Sequence, residues 1–201
     1  MPRGDRELLL AWKQGDRRAG GELIRRHIPA LHRFFVNKVS APSEVDELVQ
    51  RTFTACVEGI DGFRGEASFR TWMFAIARNV LGLWIRARTR EAIALETTSI
   101  ADLGVGPSTA LAAARERELL LHALRRIPFD QQILLELYYW EDLSAAQIGS
   151  VFEIPEATAR GRIRKAKLEL RAALDSMART GLDMESTISN LEDWARSLRE
   201  L

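Results

Sequence analysis

Apolar residues recur three or four positions apart through most of this chain, and the two-residue alternation of a half-buried strand is nearly absent. That periodicity points to an all-α fold. It predicts helices over residues 5–18, 21–38, 43–60, 68–89, 109–127, 130–139, 144–152, 155–177 and 184–199. Turn chemistry separates them. The first seam breaks at "AGGE", Pro42-Ser43 restarts the chain with Ser43 as N-cap, and the two glycines of "DGFRGEAS" require a loop over 61–68. After Arg90 the pattern fades into "EAIALETTSIADLGVGPST" (91–109), whose Gly, Pro, Ser and Thr content reads as a linker. Two small helical domains, at 1–90 and 110–176, are therefore expected, followed by a C-terminal helical extension at 177–201 with a helix stop at Gly181.

The strongest local signal is "EDLSAAQIGSVFEIPEATARGRIRKAKLEL". Ser144 and Gln147 form a capping box that starts a short helix with Ile148, Val151 and Phe152 facing inward. The chain turns at Glu153-Ile154, and Pro155 suits the first position of the next helix, where its missing N–H is not needed. In that helix Ala159, Ile163, Ala166, Leu170 and Ala173 make an apolar stripe. Arg160, Arg164, Lys167 and Arg171 make a basic stripe beside it, widened by Arg162 and Lys165. A short helix, a tight turn and a longer basic helix match a helix-turn-helix that lays its second helix in the major groove. Arginine suits that work because its fork binds guanine edges or phosphates. Taken alone, the same helix also fits the solvated face of an ordinary bundle.

In the first half, Val45, Leu48, Val49, Phe53 and Val57 make one helical stripe. Phe69, Trp72, Met73, Ile76, Ala77 and Val80 make another, on a helix that carries Arg70 and Arg78 and ends in "LWIRARTR". Basic residues interleaved with aromatics suit a surface that holds backbone phosphates and stacks unpaired bases. The segment is equally compatible with core aromatics and arginines that simply complement a helix C-terminus.

Composition excludes other classes. With a formal net charge of +1 over 201 residues, any attraction for nucleic acid must come from local clustering. The single cysteine, Cys56, rules out an internal disulfide framework or a cysteine-based zinc site, and its apolar neighbours suit a buried, inert thiol. His27, His32 and His122 have no metal-ligand spacing, and neither HExxH nor GxxxxGK[ST] occurs. "GVG" at 104–106 lies in the linker and is no dinucleotide fingerprint. No catalytic activity, cofactor or metal is expected. No apolar run approaches the ~18 residues of a membrane span, and "MPRGDRELLLAWKQGD" lacks the apolar centre of a secretion signal. A cytoplasmic protein without membrane insertion is expected.

The order of the parts is more specific than any one of them. The chain resembles the extracytoplasmic-function (ECF) sigma factors, small two-domain members of the bacterial RNA polymerase sigma-70 family, over about residues 5–175. "VDELVQRTF" resembles the region 2 helix that docks on the polymerase core. "FRGEASFRTWMFAIARN" resembles the loop and helix that open and read the −10 promoter element. "LRRIPFDQQILLELYYWEDLSAAQIGSVFEIPEATARGRIRKAKLELR" resembles region 4, whose helix-turn-helix reads the −35 element.

The resemblance implies that core RNA polymerase and promoter DNA are partners, and that an anti-sigma factor holds the protein inactive. It places Asp46, Leu48, Val49, Gln50 and Phe53 against core polymerase. The loop Arg64, Gly65, Glu66, Ala67, Ser68 and Phe69 would pocket a flipped base, with Asn79 and Arg86 along the melted strand. Thr158, Arg160, Arg162, Arg164 and Lys165 would face the −35 duplex. The chain departs from the family pattern at Glu153, where Gly is usual, and at Gly161, where a hydroxyl residue is frequent. Arg51 replaces a common acid and Gly20 a common aromatic.

In the extension, Ile188, Leu191, Ala195 and Leu198 make an apolar stripe broadened by Trp194 on an otherwise acidic helix. Two roles fit it: packing on the sigma domains or a partner to modulate activity, or extending the core of the second domain.

Overall fold

Asp16 decides where the first two helices part. Its carboxylate accepts hydrogen bonds from the N–H groups of Arg18 (2.9 Å) and Ala19 (3.1 Å), capping α2 (Arg17–Val36) just after α1 (Asp5–Lys13) ends. Gly15, at φ +97°, makes the left-handed step between them. The expected break at "AGGE" is corrected, because α2 runs straight through Gly20 and Gly21. Gly20 serves packing instead. A Cβ there would lie 2.7 Å from the Trp12 ring, so the missing side chain lets α1 close on α2.

The structure, a computed structural model, describes residues 3–39, 41–88 and 115–178. The remaining helices are α3 (Pro42–Gly59), α4 (Phe69–Arg88), α5 (Arg115–Arg126), α6 (Phe129–Tyr139), α7 (Ala145–Phe152) and α8 (Glu156–Ala178), with a 3-10 turn at Ile60–Gly62 after α3. No β-strand occurs among the described residues. The expected linker, the extension beyond Ala178 and its helix at 184–199 lie outside them. Helix α3 starts one residue earlier than expected: Pro42 takes its first turn behind Ala41, and Ser43 is inside the helix rather than capping it. At α7 the reciprocal Ser144–Gln147 capping box forms as read, at 3.2 and 2.8 Å.

Two cores share the packing. One joins α1–α4 to α7, to the start of α8 and to the face of α6 that carries Phe129, Ile133, Leu134 and Leu137. The other lies between α5, α8 and the opposite face of α6, around Leu124, Leu135, Trp140 and Leu170. Helix α6 is thus apolar on two sides, and the second half packs onto the first through a continuous apolar interior.

Polar groups cross that junction in pairs. Buried Glu141 accepts hydrogen bonds from Arg33 (2.8 and 3.2 Å) and from Arg70, which also donates to the Glu141 carbonyl at 2.7 Å. Arg78 grips Asp130 with three bonds of 2.8–3.2 Å while its guanidinium covers the Phe152 ring. Lys38, wholly buried, pairs with Glu136 and donates to the Phe34 carbonyl at 2.7 Å. Burial pushes the Lys38 ammonium pKa down and the Glu136 carboxyl pKa up, while their mutual attraction opposes both shifts.

Candidate nucleic-acid and protein interfaces

Helix α8 begins where Glu153 closes α7 in the left-handed conformation (φ 54°, ψ 41°) and Pro155 follows. The two helices approach closely at Gly149, where a Cβ would stand 2.8 Å from the Ile154 carbonyl. The buried seam of α8 is Ala159, Ile163, Ala166, Leu170, Leu174 and Met177. At about 100° per residue, Thr158, Arg162 and Lys165 fall on one flank of the helix, and Arg160 and Arg164 on the other. Ala157, Gly161 and Leu168 lie between the flanks, facing away from the core. Thr158, Arg160, Arg164 and Lys165 are exposed and Arg162 is half-buried.

Over the first two turns the outward strip is small, at Ala157 and Gly161, and with cations on both flanks this surface can enter a groove and reach phosphates on either wall, while Leu168 further along is 65% exposed. Arg160 is held by Glu156 one turn back, which raises its pKa, and Lys165 lies 3.6 Å from Glu169. Lys167, part of the expected basic stripe, instead lies 4.6 Å above the Tyr138 ring and ties α8 to α6. Gly161 has open space around its Cβ position, so a hydroxyl side chain there would meet nothing.

The loop before α4 divides into support and surface. Phe69 is buried, with its ring against Trp12, His27 and Trp72. Ser68 caps α4 by accepting from the Thr71 N–H at 3.1 Å. Arg64, Gly65 and Glu66 are exposed, with Ala67 half-buried beside them. Gly65, at φ +77°, turns the loop outward, and Arg64 pairs with Glu66 at 3.3 Å. Phe69 therefore anchors the loop from below.

Along α4 the outward stripe is Trp72, Ile76, Asn79, Leu83 and Arg86, three or four residues apart. Asn79 and Arg86 share that face as expected. Trp72 and Ile76, members of the expected apolar stripe, are only partly covered, and Leu83, 63% exposed, was missed. Its signal was its place midway between Asn79 and Arg86. Arg70 and Arg78 do not join this surface, since the second half engages both. At the helix end Arg88 stacks over Trp84 and pairs with Glu44 of α3.

Helix α3 separates the proposed docking residues. Asp46 and Gln50 are exposed and Val49 is half-buried, whereas Leu48 (0% exposed) and Phe53 (8%) sit in the core. The buried stripe also follows a different track from the expected one. Thr52 goes inside because its hydroxyl donates to the Leu48 carbonyl at 2.8 Å, Cys56 follows it, and Val57 is left 49% exposed. Burial pushes the Cys56 thiol up to about 12, which makes it inert. Among the described residues no cluster of His, Cys, Asp and Glu could hold a metal ion, and no helix is long and apolar enough to cross a membrane.

Comparison with known proteins gives the two halves the same assignment. A model of Sigma-70 region 2 matches residues 23–91, and a model of Sigma-70 region 4 matches residues 117–170. The chain is 26% identical over 173 residues to the ECF RNA polymerase sigma-E factor of Haemophilus influenzae, covering 81% of this chain and 91% of that one. It is 29% identical over 184 residues to the ECF RNA polymerase sigma factor SigM of Mycobacterium tuberculosis, covering 90% of each. Among solved structures, CnrH in complex with the cytosolic domain of CnrY superposes with a TM-score of 0.62 at 25% identity, over 86% of this chain and 97% of that one.

Proposed function

The chain belongs to the sigma-70 family, in its extracytoplasmic-function class, and from that premise we infer that it directs promoter-specific transcription by bacterial core RNA polymerase. The observation that carries this reading is that two dissimilar surfaces, each suited to nucleic acid, occur on one chain in the order of regions 2 and 4. One is a groove-entering basic helix, α8. The other is a loop and helix face, Arg64–Ser68 with Asn79, Leu83 and Arg86, that suits unstacked single-stranded DNA. A regulator that binds only duplex DNA has no use for the second.

Region 2 spans residues 1–90, the linker 91–109 and region 4 residues 110–176, with 177–201 as an extension. Region 4 binds the closed −35 duplex through Thr158, Arg160, Arg162, Arg164 and Lys165. Region 2 captures a flipped −10 base at the Arg64–Phe69 loop, with Phe69 as its buried anchor, and holds the melted strand along Asn79 and Arg86. On α3 the exposed groups Asp46, Gln50 and Val57, with half-buried Val49, meet core polymerase, while Leu48 and Phe53 brace that helix from inside. The protein works in the cytoplasm and catalyses nothing itself; the polymerase supplies the chemistry. An anti-sigma protein is a further partner, in keeping with the capture of the similar CnrH with the cytosolic domain of CnrY.

The deciding experiment adds the protein to core polymerase on genomic DNA and maps transcript starts. Starts sharing −10 and −35 sequences are expected. DNA binding without core and no new starts would mean a conventional duplex-binding regulator.

A further inference from the structure

The loop before α4 does not stand alone. Between it and α1 lies a cavity of about 560 Å³, walled by Arg64, Gly65 and Ser68 on one side and by Arg6, Leu9 and Leu10 on the other. That volume exceeds the size of one nucleotide, and two features of the α1 wall fit such an occupant. Leu10 is 52% exposed, an apolar side chain facing an open cavity. Arg6 is exposed and has no hydrogen-bond, ion-pair or ring partner among the described residues. Its neighbours are already committed. Asp5 is held by His27 (2.7 Å) and Arg26 (3.2 Å), and Arg64 by Glu66 (3.3 Å). The cavity therefore pairs an apolar wall with one unspent guanidinium at its rim.

We propose that α1 completes the nucleotide pocket of the −10 reader, with Leu10 packing on the face of the flipped base and Arg6 binding a backbone phosphate beside it. The proposal rests on the sigma-factor reading and adds a second wall to the loop. The occupant is single-stranded DNA, because only a base outside the stack can enter a cavity closed on two sides by protein. A phosphate, rather than a base edge, is the partner for Arg6, because the side chain is exposed at the rim and free to make a charge-assisted bond. Arg6 is accordingly a positioning residue that affects every sequence alike, and Leu10 contributes shape.

The test uses the full chain bound to core polymerase and a fluorescent single strand carrying the −10 sequence found at mapped starts. Arg6→Gln is expected to weaken strand binding about tenfold and to lower the slope of log affinity against log salt by roughly 0.7. Arg6→Lys should restore most of that slope, and Leu10→Asn should weaken strand binding with the slope unchanged. Duplex −35 binding and melting temperature serve as controls that none of the variants should move. If the wild-type complex binds the strand and Arg6→Gln binds it with equal affinity and slope, α1 is not part of the pocket and the proposal falls alone. If the wild-type complex binds no −10 strand at all, the proposal falls together with the assignment of the Arg64–Phe69 loop as the −10 reader.

Discussion

Lys38 and Glu136 meet in the interior at 0% and 2% side-chain exposure, one from the end of α2 and the other from α6. Each is fully provided for. Lys38 also donates to the Phe34 carbonyl and lies 4.0 Å above the Phe34 ring, and Glu136 also accepts from Gln132 at 2.8 Å. Removing one partner strands the other. Lys38→Met is expected to lower stability by about 3–5 kcal/mol, and the double variant Lys38→Met/Glu136→Leu to recover most of that loss. Urea denaturation of the four proteins in this cycle measures it. Additive losses would mean that the pair does not hold the halves together.

The turn between α7 and α8 contains two positions whose responses should have opposite sign. Glu153 sits at φ 54°, a conformation that disfavours a Cβ, and Glu153→Gly is expected to stabilise the protein by about 0.5–1 kcal/mol. Gly149→Ala would push a methyl into the Ile154 backbone carbonyl and should cost about 1–3 kcal/mol. Denaturation midpoints of the two variants provide the check.

Acid should loosen the start of α2. Hydrogen bonds from the Ala19 and Arg18 N–H groups hold the Asp16 carboxyl below its ordinary value of 3.8, with Arg3 adding to the effect. A carboxyl depressed in the folded state contributes stability that is present above the ordinary value and is lost as pH falls through the folded value. Asp16→Asn keeps a capping oxygen that does not titrate. Its stability difference from wild type should therefore shrink as pH drops below about 4, and a constant difference across that range would contradict the cap's role.

Arg164 and Lys167 are neighbours on the basic stripe with different expected roles. Arg164 is exposed, so Arg164→Ala should weaken −35 duplex binding across sequences and reduce the salt slope by about 1. Lys167 lies over Tyr138, so Lys167→Ala should lower thermal stability and leave the salt slope of DNA binding unchanged. Titrations of holoenzyme at several salt concentrations, beside melting curves, separate the two outcomes.

Local chemistry made much of the protein readable. Ser144 and Gln147 announced α7, Glu153 to Pro155 the turn, and the spacing from Ala159 to Leu170 the buried seam of α8, because each signal acts within one or two helical turns. The reading failed where one residue type serves two purposes. Gly20 looked like a helix break and is a packing gap under Trp12, and the stripe ending at Val57 left out Thr52, which is buried because the Leu48 carbonyl satisfies its hydroxyl.

The sequence alone determined the all-α class, the helix-turn-helix and the order of the two readers, since periodicity and capping are properties of neighbouring residues. Only the tertiary structure decided which basic residues stay exposed on the surface. Arg70 and Arg78 carry the same charge as Arg86, yet acids 71 and 52 positions further along the chain engage them. It likewise brought Arg6 and Leu10 of α1 to one cavity with Arg64, Gly65 and Ser68. Such pairings depend on how helices dock, and a periodic pattern records which face of a helix is apolar without recording what that face will meet.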